Sequence, residues 1–118
     1  MNELRYTAEE SEKGALVVTF HGFSGEKTFK DMEPIFLSLI EQGQNKIIVN
    51  LENIEYVDSK GWGTFLWAAE LARDRNGDVV LAQANIEVQK IYQLIGIEEF
   101  IKIYPTIAEA ENVLCAME

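Results

Sequence analysis

A single cysteine, Cys115, and a single histidine, His21, occur in the 118 residues. One cysteine excludes an internal disulfide and fits a reducing compartment. One histidine and one distant cysteine leave no ligand set for zinc, and the carboxylates show no calcium-type spacing. Basic residues are also scarce: ten Lys and Arg stand against twenty Asp and Glu, for a net charge of −10. That field repels a phosphate backbone, so neither nucleic acid nor an anionic membrane is an expected partner. No apolar run approaches the roughly 20 residues that cross a bilayer. Residues 1–10 are polar and carry acids, unlike a secretory signal. The expectation is a soluble, cytoplasmic chain with no metal and no cofactor. Repeats, low-complexity segments and linkers are absent too.

What is present suits one domain over residues 1–118: 47% of the chain is hydrophobic and 25% charged. A chain of this length buries roughly two thirds of its unfolded surface and holds a core without staples. Residues 4–10 and 15–22 read as an antiparallel hairpin across the turn 11–14, the second strand rich in Val, Thr and Phe. The loop "FSGEK", 23–27, leads to a helix capped by Thr28, with Pro34 near its first turn. Its stripe is Ile35, Phe36, Leu39 and Ile40, and Gly43 ends it. "KIIVNL", 46–51, is a buried strand, and a helix follows from Ser59 to Arg75, stopped by Asn76-Gly77. Then come a strand at 78–83, a helix at 85–96 capped by Asn85, a strand at 100–104 and a last helix at 107–117. Strands joined by helices run parallel with right-handed crossovers. The expected fold is α/β, with a mixed sheet of about five strands and four or five helices.

The corner "YVDSKGWGTF", 56–65, carries the chemistry worth weighing. Ser59 sits between strand and helix, where a hydroxyl can cap free backbone N–H groups. Gly61 and Gly63 form a G-x-G in the context of a dinucleotide loop, but Leu66 occupies the third glycine position and no acid ends the next strand. A nucleophilic serine wants a histidine base; His21 is the only one, at a strand end among apolar neighbours, and no G-x-S-x-G elbow is present. An enzyme is therefore the weakest class. A fourth reading is a phosphorylation switch, since a phosphate on Ser59 would add about −1.5 to −2 charges at a helix N-terminus beside Asp58.

The stretch "IIVNLENIEYVDSKGWGTFL" resembles the signature of the STAS domain of bacterial anti-sigma-factor antagonists: a strand, an apolar-Asp-Ser-x-Gly-apolar-Gly corner, then a helix. "NIEVQKIYQLIGIEEFIKIYPTIAEA" is similar to that family's second half, and the likeness spans roughly residues 15–115. The resemblance implies a STAS-like single domain and a phosphoacceptor at Ser59 beside Asp58, with Gly61 and Gly63 on the family's glycines. It implies a serine kinase that doubles as anti-sigma factor, a serine phosphatase that resets the switch, and a monomer or weak dimer. A partner-binding face of Asp58, Ser59, Lys60, Gly61, Trp62 and Gly63, with Phe23 and Ser24, follows from the same likeness, and Trp67 is a candidate for it by its position on the helix. Three features depart from it: Lys60 stands where many members have a small polar residue, Trp62 replaces a smaller aliphatic, and the loop after Gly22 lacks Leu-Asp. Trp67 lies roughly 140° around the helix from Trp62, so it is either a partner anchor or packs under the hairpin or first helix. A scaffold subunit of a larger signalling assembly and an accessory subunit of a transport complex are the alternative roles.

Overall fold

The computed structural model describes residues 5–21 and 26–116, apart from the side chains of 26–30. Two strands come first: β1, Arg5–Glu10, pairs antiparallel with β2, Leu16–His21, so the expected hairpin is present. In β2 every second residue is buried, the period of a strand with one face on a core. Helix α1, Glu26–Glu41, leads to β3, Lys46–Asn50; then come α2, Ser59–Arg73, β4, Asp78–Ala82, and α3, Ile86–Ile95. The chain closes with β5, Ile103–Tyr104, and α4, Ile107–Leu114. The sheet order is β1-β2-β3-β4-β5, and every pair after the first is parallel. This is the expected mixed five-stranded sheet with four helices.

Strands β3 and β4 are buried on both faces, as near-continuous Ile and Val runs require. Ile47, Val49, Val79 and Leu81 join the main core with residues of α1, α2 and α3. Ile48, Val80 and Ala82 point the other way, onto Ala110 and Leu114 of α4. An aromatic chain ties the main core together. Phe20 meets Phe36 at 5.7 Å, Phe36 meets Phe65 at 6.3 Å, Trp62 meets Phe65 at 6.3 Å, and Trp62 meets Tyr92 at 5.8 Å. Each such pair adds about 0.5–1.5 kcal/mol beyond its buried area. The chain fixes α2 between α1 and α3.

Four elements differ from expectation, in three ways. Helix α1 begins at Glu26, before Thr28, and carries Pro34 inside it. An interior proline costs about 3 kcal/mol. Met32, Phe36 and Ile40, all fully buried and spaced by four, flank it, and each contributes about 1.5–3 kcal/mol. Their burial outweighs the lost hydrogen bond, so the helix runs through. The second difference is β5, which pairs only at Ile103 and Tyr104. After Gly96 (φ 71°) the chain turns, with Phe100 N–H bonded to Ile97 O at 2.9 Å. That turn consumes the residues expected to start the strand; Ile101 plugs the core while Phe100 stays exposed. Third, α2 ends at Arg73 where Arg75 was expected, and α4 ends at Leu114, the expected end at 117 lying outside the described residues.

Gly43 (φ 96°) closes α1 as expected: its N–H reaches Ile40 O, and Gln44 N–H reaches Leu39 O, a glycine-dependent helix stop. No helix among the described residues is long and apolar enough to cross a membrane.

Candidate functional site

The loop from β3 to α2 is pinned before it reaches the corner. Leu51 N–H bonds Ala82 O at 2.9 Å, Ile54 N–H bonds Leu51 O at 3.0 Å, and Asn85 Nδ2 donates to Glu55 O at 2.9 Å. Leu51, Ile54 and Val57 are buried. The polar corner is therefore presented from a fixed base.

Asp58, not Ser59, caps α2. Asp58 is extended (φ −85°, ψ −178°), and its Oδ1 accepts the Gly61 N–H at 2.8 Å. Its carbonyl takes the first helical bond, from Trp62 N–H at 3.1 Å. A cap must hold non-helical dihedrals while its side chain bends back to the third helical N–H. Ser59 is already helical, so the serine capping role expected from the sequence passes to its neighbour. Ser59 becomes the first residue of α2 and is exposed.

The first turns of α2, α3 and α4 share one cap geometry. Asn85 accepts from Val88 N–H at 2.8 Å, and Thr106 accepts from Glu109 N–H at 3.1 Å. The charges differ. Glu87 and Glu109 sit in the first turns of α3 and α4, complementing the dipole. The first turn of α2 holds no acid, only Ser59, Lys60 and Gly61. Its acid is the cap itself, Asp58, where α3 and α4 have the neutral caps Asn85 and Thr106.

The remaining residues sort by burial. Lys60 and Gly63 are exposed beside Ser59. A Cβ on Gly63 would meet nothing within 4 Å. Glu33 of α1 joins Lys60, Gly63 and Thr64 around a shallow hollow of about 270 Å³. Gly61 and Trp62 are buried, so they support the corner from within and present no side-chain surface. Trp67 is half-buried, packed in part against the main core. Trp62 Nε1 has no hydrogen-bond partner among the described residues. Phe23 and Ser24 lie outside the described residues.

His21 does not serve the corner. Its Nδ1 lies 3.2 Å from Asn53 Nδ2, and its strand face is that of Thr19 and Val17, opposite the face that meets the main core. Among the described residues no group of three metal-ligating side chains occurs. Two features escaped sequence reasoning. Glu33 reaches the hollow only through the packing of α1 on α2, a contact with no local signal. Asn50, buried in β3, bonds Thr19, Glu52 and Gln83, and Gln83 adopts φ 62°. Its polarity inside an apolar strand was the available clue.

The STAS domain family matches residues 7–110. BtrV of Bordetella bronchiseptica, provisionally named an anti-sigma factor antagonist, is 21% identical over 105 residues, covering 89% of this chain and 88% of its own length. The crystal structure of tm1081 from Thermotoga maritima superposes with a TM-score of 0.79 at 21% identity, over 92% of this chain and 93% of that one. The Bacillus cell fate determinant SpoIIAA, named an anti-sigma factor antagonist, has been solved unphosphorylated and phosphorylated. The two forms give TM-scores of 0.74 and 0.67 at 20% and 19% identity, each over 92% of this chain and over 96% and 99% of theirs. At these identities the structural likeness establishes the fold. By name these relatives are regulators, antagonists of anti-sigma factors.

Proposed function

This chain belongs to the STAS domain family, and on that premise we propose that it is an anti-sigma-factor antagonist in a partner-switching phosphorylation pathway. The unmodified protein binds a cognate serine kinase that is also the anti-sigma factor, and so frees the sigma factor. The kinase transfers the γ-phosphoryl group of ATP to Ser59 Oγ, and the modified protein is released. A serine phosphatase resets it. The protein acts in the cytoplasm as a single domain over 1–118.

The observation that carries this reading is the division of labour at the corner. Asp58 caps the helix, which leaves the exposed Ser59 hydroxyl without a capping duty. A phosphate there adds about −1.5 to −2 charges at a helix N-terminus whose first turn, beyond the Asp58 cap, holds no acid, and the dipole offsets part of that charge. The partner meets a different surface, since the new charge lies between Asp58 and Lys60 in the chain, and Lys60 lines the hollow with Glu33. Affinity falls by repulsion rather than by unfolding. The docking face comprises Ser59, Lys60 and Gly63, with Phe23 and Ser24 assigned to it by the family resemblance; Gly61, Trp62 and Trp67 hold it in shape.

The test is an intact-mass spectrum after incubation with ATP and the candidate kinase, followed by peptide mapping. A single phosphate on Ser59 is expected. Binding is then compared for Ser59→Ala and Ser59→Asp; equal affinity of the two for the kinase would sink the mechanism.

A further inference from the structure

The two edges of the sheet are unlike. Strand β5 is an edge of two residues, short enough to template little. Strand β1 is an edge of six, and all six residues are exposed. Natural edges are blunted by charged side chains, lysine above all, by proline or by a bulge. The sequence of β1, RYTAEE, has no proline, and its register with β2 is continuous from Arg5 to Glu10; its three charges, Arg5, Glu9 and Glu10, are of both signs, so they guard the edge only against a strand that does not match them. Its outer side therefore carries an unbroken row of backbone groups.

We infer that β1 pairs antiparallel with β1 of a second copy of this chain, joining the two sheets into one. Such pairing places a two-fold axis normal to the sheet, so residues meet partners from the same face. Arg5, Thr7 and Glu9 share the face of His21, Thr19 and Val17; Tyr6, Ala8 and Glu10 share that of Phe20, Val18 and Leu16. Four registers keep the faces and pair at least three residues of the strand. Centring on Glu9 sets Glu9 against itself, a like-charge pair, and Ala8 against Glu10. Centring on Tyr6 sets Arg5 against Thr7 and leaves the cation without an acid across the strand. Centring on Ala8 sets Thr7 against Glu9 and Tyr6 against Glu10. Centring on Thr7 sets Arg5 against Glu9 twice, Tyr6 against the small Ala8 twice, and Thr7 against itself. Opposite charges and Thr–Thr pairs are favoured across antiparallel strands, and a large side chain fits opposite a small one. The strand is self-complementary in that register alone.

Each chain carries −10, so the copies repel at long range. The pairing is accordingly weak and concentration-dependent. It is independent of the switch at Ser59: β2 separates β1 from β3 and the corner that follows it.

Sedimentation equilibrium over rising protein concentration tests this. The wild type is expected to shift from monomer toward dimer mass. Arg5→Glu should weaken association about tenfold or more, and Arg5→Glu/Glu9→Arg should restore it by swapping the charges. Circular dichroism verifies that each variant is folded. A Thr7→Cys variant in a Cys115→Ser background should form a disulfide dimer on oxidation, because position 7 faces itself, whereas Arg5→Cys in that background should not. A monomer at every concentration overturns the inference. So does unchanged association of Arg5→Glu, failure of the charge swap to recover it, or equal cross-linking at positions 5 and 7.

Discussion

The two ends of α2 are built in opposite ways. At its C-terminal end the chain is held from several directions. Arg73 Nε lies 3.0 Å from Asp78 Oδ1, Gly77 N–H bonds Ala72 O at 2.9 Å, and Asp78 N–H bonds Asn45 O at 2.9 Å. Gly77 packs so tightly that a Cβ there would fall 1.8 Å from Asn45 O. At the N-terminal end the Asp58 carboxylate caps the helix, Ser59 and Lys60 are exposed, and the Gly63 position opens onto empty space. One end is clamped to the sheet and the other is offered outward. If Ser59 is phosphorylated as proposed, that asymmetry suits it: the anchored end keeps the exposed end in place when the charge changes.

Substitutions at the two ends should separate sharply. Gly77→Ala drives a methyl group into backbone, so we expect a loss of about 2–4 kcal/mol in urea unfolding. A loss below about 0.5 kcal/mol would mean that the clamp is not the source of rigidity. Asp58→Ala removes the cap and should cost about 1 kcal/mol, while Asp58→Asn keeps most of it because asparagine caps as well. Gly63→Ala, the mirror case to Gly77→Ala, should stabilise by about 0.5–1 kcal/mol, since a helical glycine is being replaced with no clash. If the hollow beside Gly63 is part of the docking face, that more stable variant should bind the kinase more weakly in calorimetry. Ser59→Ala is the smallest change, within about 0.5 kcal/mol by thermal melting, because the hydroxyl does not cap. A loss near 1 kcal/mol would return the capping role to Ser59 and erase the contrast with Asp58.

Much of the fold was legible in the chain. The Ile and Val runs at 46–51 and 78–83 can only be strands buried on both faces, and Asn85, Thr106 and Gly43 punctuate helices by their own side-chain or backbone chemistry. Legibility failed where two local signals competed. Asp58 and Ser59 are both good caps, and one dihedral pair decides between them. Pro34 signals a helix start, but three buried neighbours override it. "FIKIY" has strand composition, yet the turn after Gly96 claims its first residues.

The candidate site divides along the same line. Its position, a polar corner with a serine and two glycines after a buried strand, was determined by local sequence, because caps, glycines and hydrophobic period act over a few residues. Its surface was decided by tertiary structure. Which of Trp62, Gly63 and Trp67 faces solvent, and that Glu33 joins Lys60 across a hollow, depends on how α1 and α2 settle on the sheet. Side chains distant in sequence become neighbours only when burial of the whole apolar face selects one arrangement, and no short stretch encodes that selection.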